Sequence, residues 1–263
     1  MLQYPDSESN SAYSPESVYS NFYHRLNLVY NSTLKNKSCM KVSVIIPAYN
    51  EEKIIGRCLE SILNQKEPPE EIILVDNKST DHTAGIARSA GIRVVKESKQ
   101  GLTHARNKGF NSAKHEIIAR CDADVIVPPD WIKRIKHNFE TKTIDALSGP
   151  VVFYDLISQT ALPSQIYSHS LKFILKGNRV LHGPNMALTK TIWKKVKPHV
   201  NLDDSLVHED VDLSINITKA NGKIGYDASL TVKTSARRIK KRPASFFIEY
   251  PIRLLKTFWV NRK

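Results

Sequence analysis

The chain has 263 residues, 41% of them hydrophobic, and a formal charge of +13. That is enough apolar material for one large domain core, and no run approaches the ~20 apolar residues that cross a bilayer. The charge calls for an anionic partner such as phosphate-bearing substrates, acidic lipid or nucleic acid. Three cysteines (Cys39, Cys58, Cys121) without metal-ligand spacing exclude a cysteine metal site and point to a reduced compartment.

Residues 1–17 are rich in Ser, Asn, Glu and Pro, lack periodicity, and carry neither the basic nor the apolar region of a signal peptide. Val18, Tyr19, Phe22, Tyr23, Leu26, Leu28, Val29 and Tyr30 predict an amphipathic docking helix, so 1–40 reads as a tail with that helix. Residues 42–47 form a buried strand stopped by Pro47, with Asn50 as the expected cap of a helix running to Gln65. Strands follow at 71–75, 92–95 and 117–120, alternating with helices that end at Ala90 and Ala113. Such alternation predicts βαβ units and a mostly parallel, doubly wound α/β sheet. There is neither the Gly-x-Gly-x-x-Gly of a dinucleotide fold nor a P-loop, so a nucleotide must be held by other means.

Helices are predicted over 129–139, 160–176, 192–196 and 208–221, and strands over 146–154, 185–189, 224–226 and 230–232. The stretch 236–263 is basic and aromatic. From Lys233 to Lys263 ten Lys or Arg face a single acid, Glu249, and hold +9 of the +13. Phe246, Phe247, Tyr250, Ile252, Leu254, Leu255, Phe258 and Trp259 interleave with them, as in segments that lie on anionic bilayers.

Two carboxylates, Asp122 and Asp124, follow the strand at 117–120. Residues two apart on an extended chain point the same way, and ligands bind beyond strand carboxyl ends in open α/β sheets. Paired hard oxygens there suit Mg²⁺ or Mn²⁺ together with a substrate diphosphate. Later, Glu209, Asp210 and Asp212 open a helix, where acids also favour the positive helix end. The residues alone leave open which of the three acts as a base.

In their order and spacing these segments resemble glycosyltransferase family 2. The resemblance is carried by Val-Ser-Val-Ile-Ile-Pro-Ala-Tyr-Asn-Glu at 42–51, Ile-Ile-Leu-Val-Asp at 72–76, Asp-Ala-Asp at 122–124 and Glu-Asp-Val-Asp-Leu at 209–213. It implies a GT-A fold, a single Rossmann-like domain over 41–235, with a nucleotide-sugar half (41–128) and an acceptor half (129–235). It further implies donor contacts from Pro47, Ala48, Tyr49, Glu51, Asp76, Arg106, Asp122 and Ala123. Asp124 and Asp122 would bind a divalent cation (Mn²⁺ or Mg²⁺). Asp210 would be the general base, with Glu209 beside it. His182, Gly183 and Asn185 are expected on the acceptor side, and Arg237 or Arg238 on the diphosphate. The implied reaction moves a single sugar from a nucleotide-diphosphate sugar to a glycan or lipid-linked hydroxyl, mostly with inversion. Membrane-embedded polymerising members carry Gln-x-x-Arg-Trp and several spanning helices, which this sequence lacks. The expected location is cytoplasmic, with the basic segment available to the inner membrane face. The competing reading is a non-catalytic protein that uses this segment on a membrane or on nucleic acid. No nucleic-acid motif supports the latter, and no nucleic-acid partner is expected.

Overall fold

The computed structural model describes residues 40–156, 159–173, 175–241 and 248–262. The expected docking helix at 18–33, and Phe246 and Phe247, lie outside the described residues.

A seven-stranded sheet has the order β3-β2-β1-β4-β7-β5-β8. Its strands are β1 (Val42–Ala48), β2 (Glu71–Asp76), β3 (Arg93–Lys96), β4 (Ile117–Arg120), β5 (Ala146–Ser148), β7 (Met186–Thr189) and β8 (Ile224–Tyr226). β7 runs antiparallel to both its neighbours, and the other pairs are parallel. This is the doubly wound, mostly parallel α/β sheet of the GT-A expectation.

Side-chain alternation divides the central strands between two cores. Val42, Val44, Ile46 and Ile117 pack under α1 (Ile55–Leu63) and α4 (Trp131–Thr141). Ile45, Ile73, Val75 and Ile118 point the other way, against α3 (Leu102–Ser112), α6 (Lys190–Val196) and α7 (Glu209–Lys219). Burial on both faces is why β1, β2 and β4 read as unbroken apolar runs rather than alternating ones.

Four local expectations need correction. Asn50 does not cap a helix: it sits at φ 53°, and α1 begins at Ile55 after a turn. Asparagine tolerates that left-handed backbone, and its Oδ1 accepts the Thr80 N–H at 2.8 Å. The helix ending near Ala90, for which the sequence offers Ser79 or Thr80 as cap, starts later: α2 (Thr83–Ser89) follows His82, with Asp81 accepting the Thr83 N–H. The single strand expected at 146–154 breaks at Gly149-Pro150, and its second piece, β6 (Val151–Phe153), joins β9 (Val232–Thr234) in a separate two-stranded sheet. The helix expected over 160–176 is α5 (Leu162–Ser170) followed by turns.

The basic segment folds into α8 (Arg237–Lys241) and α9 (Tyr250–Val260). Leu254 and Phe258 of α9 pack on a third core containing Val211 and Ile215 of α7. The His208 N–H donates to Thr257 Oγ1 at 2.9 Å, and Asn261 Nδ2 donates to Asp212 Oδ1 at 2.9 Å. The opposite side of α9 leaves Ile252, Leu255 and Trp259 exposed. Among the described residues no helix is long and apolar enough to cross a membrane.

Candidate functional site

The carboxyl ends of β1, β2 and β4 meet above the sheet, in register from Ala48 to Asp76 and from Ile45 to Arg120. Two cavities open there. One, of about 220 Å³, is bounded by Pro47, Ala48, Tyr49, Glu51, Asn77 and Gln100 to Leu102. The other, of about 250 Å³, holds Gly183, Asp204, His208, Asp210, Tyr250 and Arg253. Asp122, Asp124, Leu102 and Arg238 line both, so the two cavities adjoin along the Asp-Ala-Asp segment.

A buried network of arginines and acids lies at their seam. Arg120, fully buried on β4, donates from Nη2 to Asp122 Oδ1 at 2.8 Å and from Nη1 to Glu209 Oε1. Arg106, equally buried on α3, donates to Glu209 Oε2 and to the Glu209 carbonyl, both at 2.6 Å. Burial pushes the Glu209 carboxyl up, but the two guanidinium charges outweigh it and hold Glu209 below its ordinary value. Glu209 is therefore an ionised strut between the β4 end and the start of α7.

The next residue is in a different state. Asp210 accepts the Gly183 N–H at 3.2 Å and faces the larger cavity. Burial, and then the neighbouring Glu209 charge, push its carboxyl above the ordinary value, against the pull of His208, the Gly183 N–H and His182. A raised carboxylate at a cavity wall can accept a proton from a bound hydroxyl.

Asp124 accepts from Thr234 Oγ1 at 3.1 Å, and Arg237 Nε lies 3.4 Å from its Oδ2. Arg237 also donates to Glu51 Oε1, leaving Glu51 Oε2 buried without a partner. Burial, and then the Asp122 charge, raise the Asp124 carboxyl despite Arg237 and Arg238. Among the described residues no three His, Cys, Asp or Glu side chains converge on one cation-sized point. The donor set still suits a hard divalent cation completed by ligand oxygens, because such a cation would offset the repulsion between the two aspartates.

The expected site residues divide into two groups. Pro47, Ala48, Tyr49, Glu51, Asp122, Ala123 and Asp124 line the smaller cavity, while Gly183, Glu209 and Asp210 line the larger. Arg106 lines neither cavity and instead holds Glu209. Asp76 is buried and accepts the Ser79 N–H at 2.9 Å, and its neighbour Asn77 takes the place on the cavity wall. His182 and Asn185 hold the loop around Gly183 and Pro184: His182 Nδ1 meets the Gly149 carbonyl at 2.9 Å, and Asn185 bonds Trp131, Pro150 and Leu230. Arg120, Asn77, Asp204, Tyr250 and Arg253 were not expected at the site. Arg120 alone had a sequence signal, a cation inside an otherwise apolar strand.

Among curated proteins, the chain is 33% identical over 150 residues to the uncharacterized glycosyltransferase EpsJ of Bacillus subtilis, covering 55% of this chain and 41% of that protein. It is 36% identical over 120 residues to the glycosyltransferase GlyG of Streptococcus pneumoniae, covering 43% and 40%. The matches thus span about two-fifths of the length of these relatives. Among solved structures, glucosyl-3-phosphoglycerate synthase from Mycobacterium tuberculosis, in complex with Mn²⁺, UDP and phosphoglyceric acid, aligns with a TM-score of 0.61 at 18% identity over 83% of this chain and 78% of that one. The mannosyltransferase PcManGT from Pyrobaculum calidifontis, in complex with GDP-Man and Mn²⁺, aligns at 0.59 and 21% over 86% and 69%. The family model of glycosyl transferase family 2 matches residues 43–194. More than half of the sequence falls within that match, and the chain belongs to glycosyltransferase family 2.

Proposed function

We propose that this protein transfers a single sugar from a nucleotide-diphosphate sugar to an acceptor hydroxyl, with inversion at the anomeric carbon. The observation that carries this reading is the pair of cavities joined at Asp122 and Asp124, with Asp210 among the residues that line the larger one. The smaller cavity takes the nucleoside, among Pro47, Ala48, Tyr49, Asn77, Gln100, Gly101 and Leu102. Glu51, with its unpartnered buried oxygen, accepts from the base or ribose.

Asp124 and Asp122 would hold Mn²⁺ or Mg²⁺, which when bound offsets charge on the diphosphate leaving group. Arg238, which lines both cavities, adds positive charge beside that diphosphate, while Arg237 is held by Glu51 and Asp124. In the larger cavity the acceptor oxygen attacks the anomeric carbon while its proton passes to Asp210. The bond from that carbon to the diphosphate oxygen breaks, and the electron pair leaves with the nucleoside diphosphate. Asp210 is the base rather than Glu209, because both Glu209 oxygens are already engaged by arginines. The acceptor is a glycan or a lipid-linked molecule, and the exposed side of α9, with Ile252, Leu255 and Trp259 beside Lys256, is available to an anionic membrane surface.

The test is thermal unfolding against a panel of nucleotide-diphosphate sugars with Mn²⁺, Mg²⁺ or EDTA. One donor is expected to raise the melting temperature in a metal-dependent way, since a ligand at a hundredfold excess over Kd adds ~2.7 kcal/mol. The shift is expected to vanish in Asp124→Asn. No shift with any donor overturns the reading.

A further inference from the structure

We infer that the acceptor carries a phosphate or diphosphate group, bound by Arg253 in the larger cavity with Arg238 at the seam toward the donor. This rests on the transferase reading above and names the acceptor class for the same site.

The inference starts from the charges that line the cavity. Each acid there already has a partner or a task. Glu209 is held by Arg106 and Arg120, and Asp122 by Arg120. Asp124 takes Thr234 and Arg237. Asp204 accepts the N–H and the hydroxyl of Thr103 at the start of α3. Asp210 accepts from Gly183. Among the described residues no acid takes a hydrogen bond or an ion pair from the Arg253 or Arg238 guanidinium, although both line the cavity.

Arg253 is half-buried, reaching in from α9 beside Tyr250. Val151, Phe153, Pro184, Val207 and Ile239 give the same cavity an apolar part of its wall. A guanidinium that no acid engages is free to take the oxygens of a ligand phosphate. Hydroxyls and acids in the lining, such as Thr234, Ser235 and Asp210, can serve sugar hydroxyls, whereas the guanidiniums of Arg253 and Arg238 only donate and suit an anion. Apolar wall plus unpaired arginine fits an acceptor with an anionic phosphate better than a wholly neutral glycan.

The same helix bears on where that phosphate comes from. While Arg253 faces the cavity, Ile252, Leu255 and Trp259 are exposed on α9, and Ile248 stands one turn before them. A phosphate presented by a lipid headgroup and a phosphate on a soluble acceptor share the chemistry that Arg253 reads, and experiment separates them.

The experiment uses the full chain with Mg²⁺ and saturating nucleoside diphosphate, so that the donor cavity is filled. Inorganic phosphate and pyrophosphate are titrated calorimetrically. Binding is expected to persist with the nucleotide bound and to weaken at least about tenfold in Arg253→Gln, with nucleoside-diphosphate affinity unchanged. Arg253→Lys is expected to recover part of it, and Arg238→Gln to weaken both ligands. Asp210→Asn is expected to strengthen phosphate binding by removing a nearby negative charge. Sedimentation with phosphatidylglycerol vesicles then separates the sources. Vesicle binding reduced in Arg253→Gln identifies a lipid headgroup, and phosphate binding without vesicle binding identifies a soluble phosphate. Phosphate that binds only when nucleotide is absent, or equally well to Arg253→Gln, overturns the inference. Absence of nucleoside-diphosphate binding overturns the donor assignment instead, and the phosphate titration still reports on Arg253.

Discussion

Asp210→Asn is expected to lower the transfer rate by about 10²–10⁴-fold while leaving donor affinity close to that of the wild type, because the amide keeps the acceptor for the Gly183 N–H but cannot take a proton. Donor titration alongside the rate assay checks the two halves of that statement. The pH dependence follows from the same residue. Burial and the Glu209 charge raise the Asp210 carboxyl above its ordinary value, so activity should fall on the acid side through a midpoint above the usual ~3.9 of aspartate. The stability effect has the opposite sign. A carboxyl whose folded pKa is raised contributes stability below its unfolded pKa and loses it as pH rises through the folded one. At neutral pH the charged form is a cost to the fold, so Asp210→Asn should melt at a higher temperature than the wild type. A variant that is both less active and less stable would mean that Asp210 is a structural group.

Arg120→Met is expected to destabilise the protein by ~3–5 kcal/mol, the usual cost of removing one partner from a buried ion pair. The methionine fills similar volume, so the loss reports charge rather than a cavity. It leaves Glu209 with Arg106 alone and Asp122 without its 2.8 Å partner. Here too pH tests the cause. Glu209 is held below its ordinary value by Arg120 and Arg106 against the effect of burial. It therefore contributes stability above its unfolded pKa of ~4.3, which is lost as pH falls through the lower folded value. The gap between wild type and variant should accordingly be widest near neutral pH and narrow in acid. Denaturant unfolding at several pH values measures it. A gap that stays constant with pH would assign the loss to packing.

The parts of this protein legible in its sequence are those set by local pattern. β1, β2 and β4 were evident because buried parallel strands need apolar side chains on both faces, as in Val42 to Ile46. The Asp122 and Asp124 pair was evident because it directly follows such a strand. The break at Gly149-Pro150 had its signal in a turn-forming dipeptide, which the surrounding β-branched residues outweighed. The arginine network was illegible for a different reason. Arg120 and Arg106 reach Glu209 across 89 and 103 residues, and only the folded sheet brings them together. The segment 101–109 around Arg106 resembles one of the family, which leaves a donor contact and a buttress of the site equally open, and its side chain turns inward to Glu209. Tyr250 and Arg253 enter the site because α9 packs on α7, a contact that basic and aromatic composition cannot distinguish from a free amphipathic segment.

The most direct test of the transferase reading is a crystal structure of the protein grown with Mn²⁺ and the nucleoside diphosphate of the donor that raises its stability. The account predicts an anomalous manganese peak against the carboxylates of Asp124 and Asp122, with the nucleoside between Pro47 and Leu102 and the diphosphate beside Arg238. Nucleotide bound elsewhere, on the outer surface of α9 or away from Asp124, would contradict it.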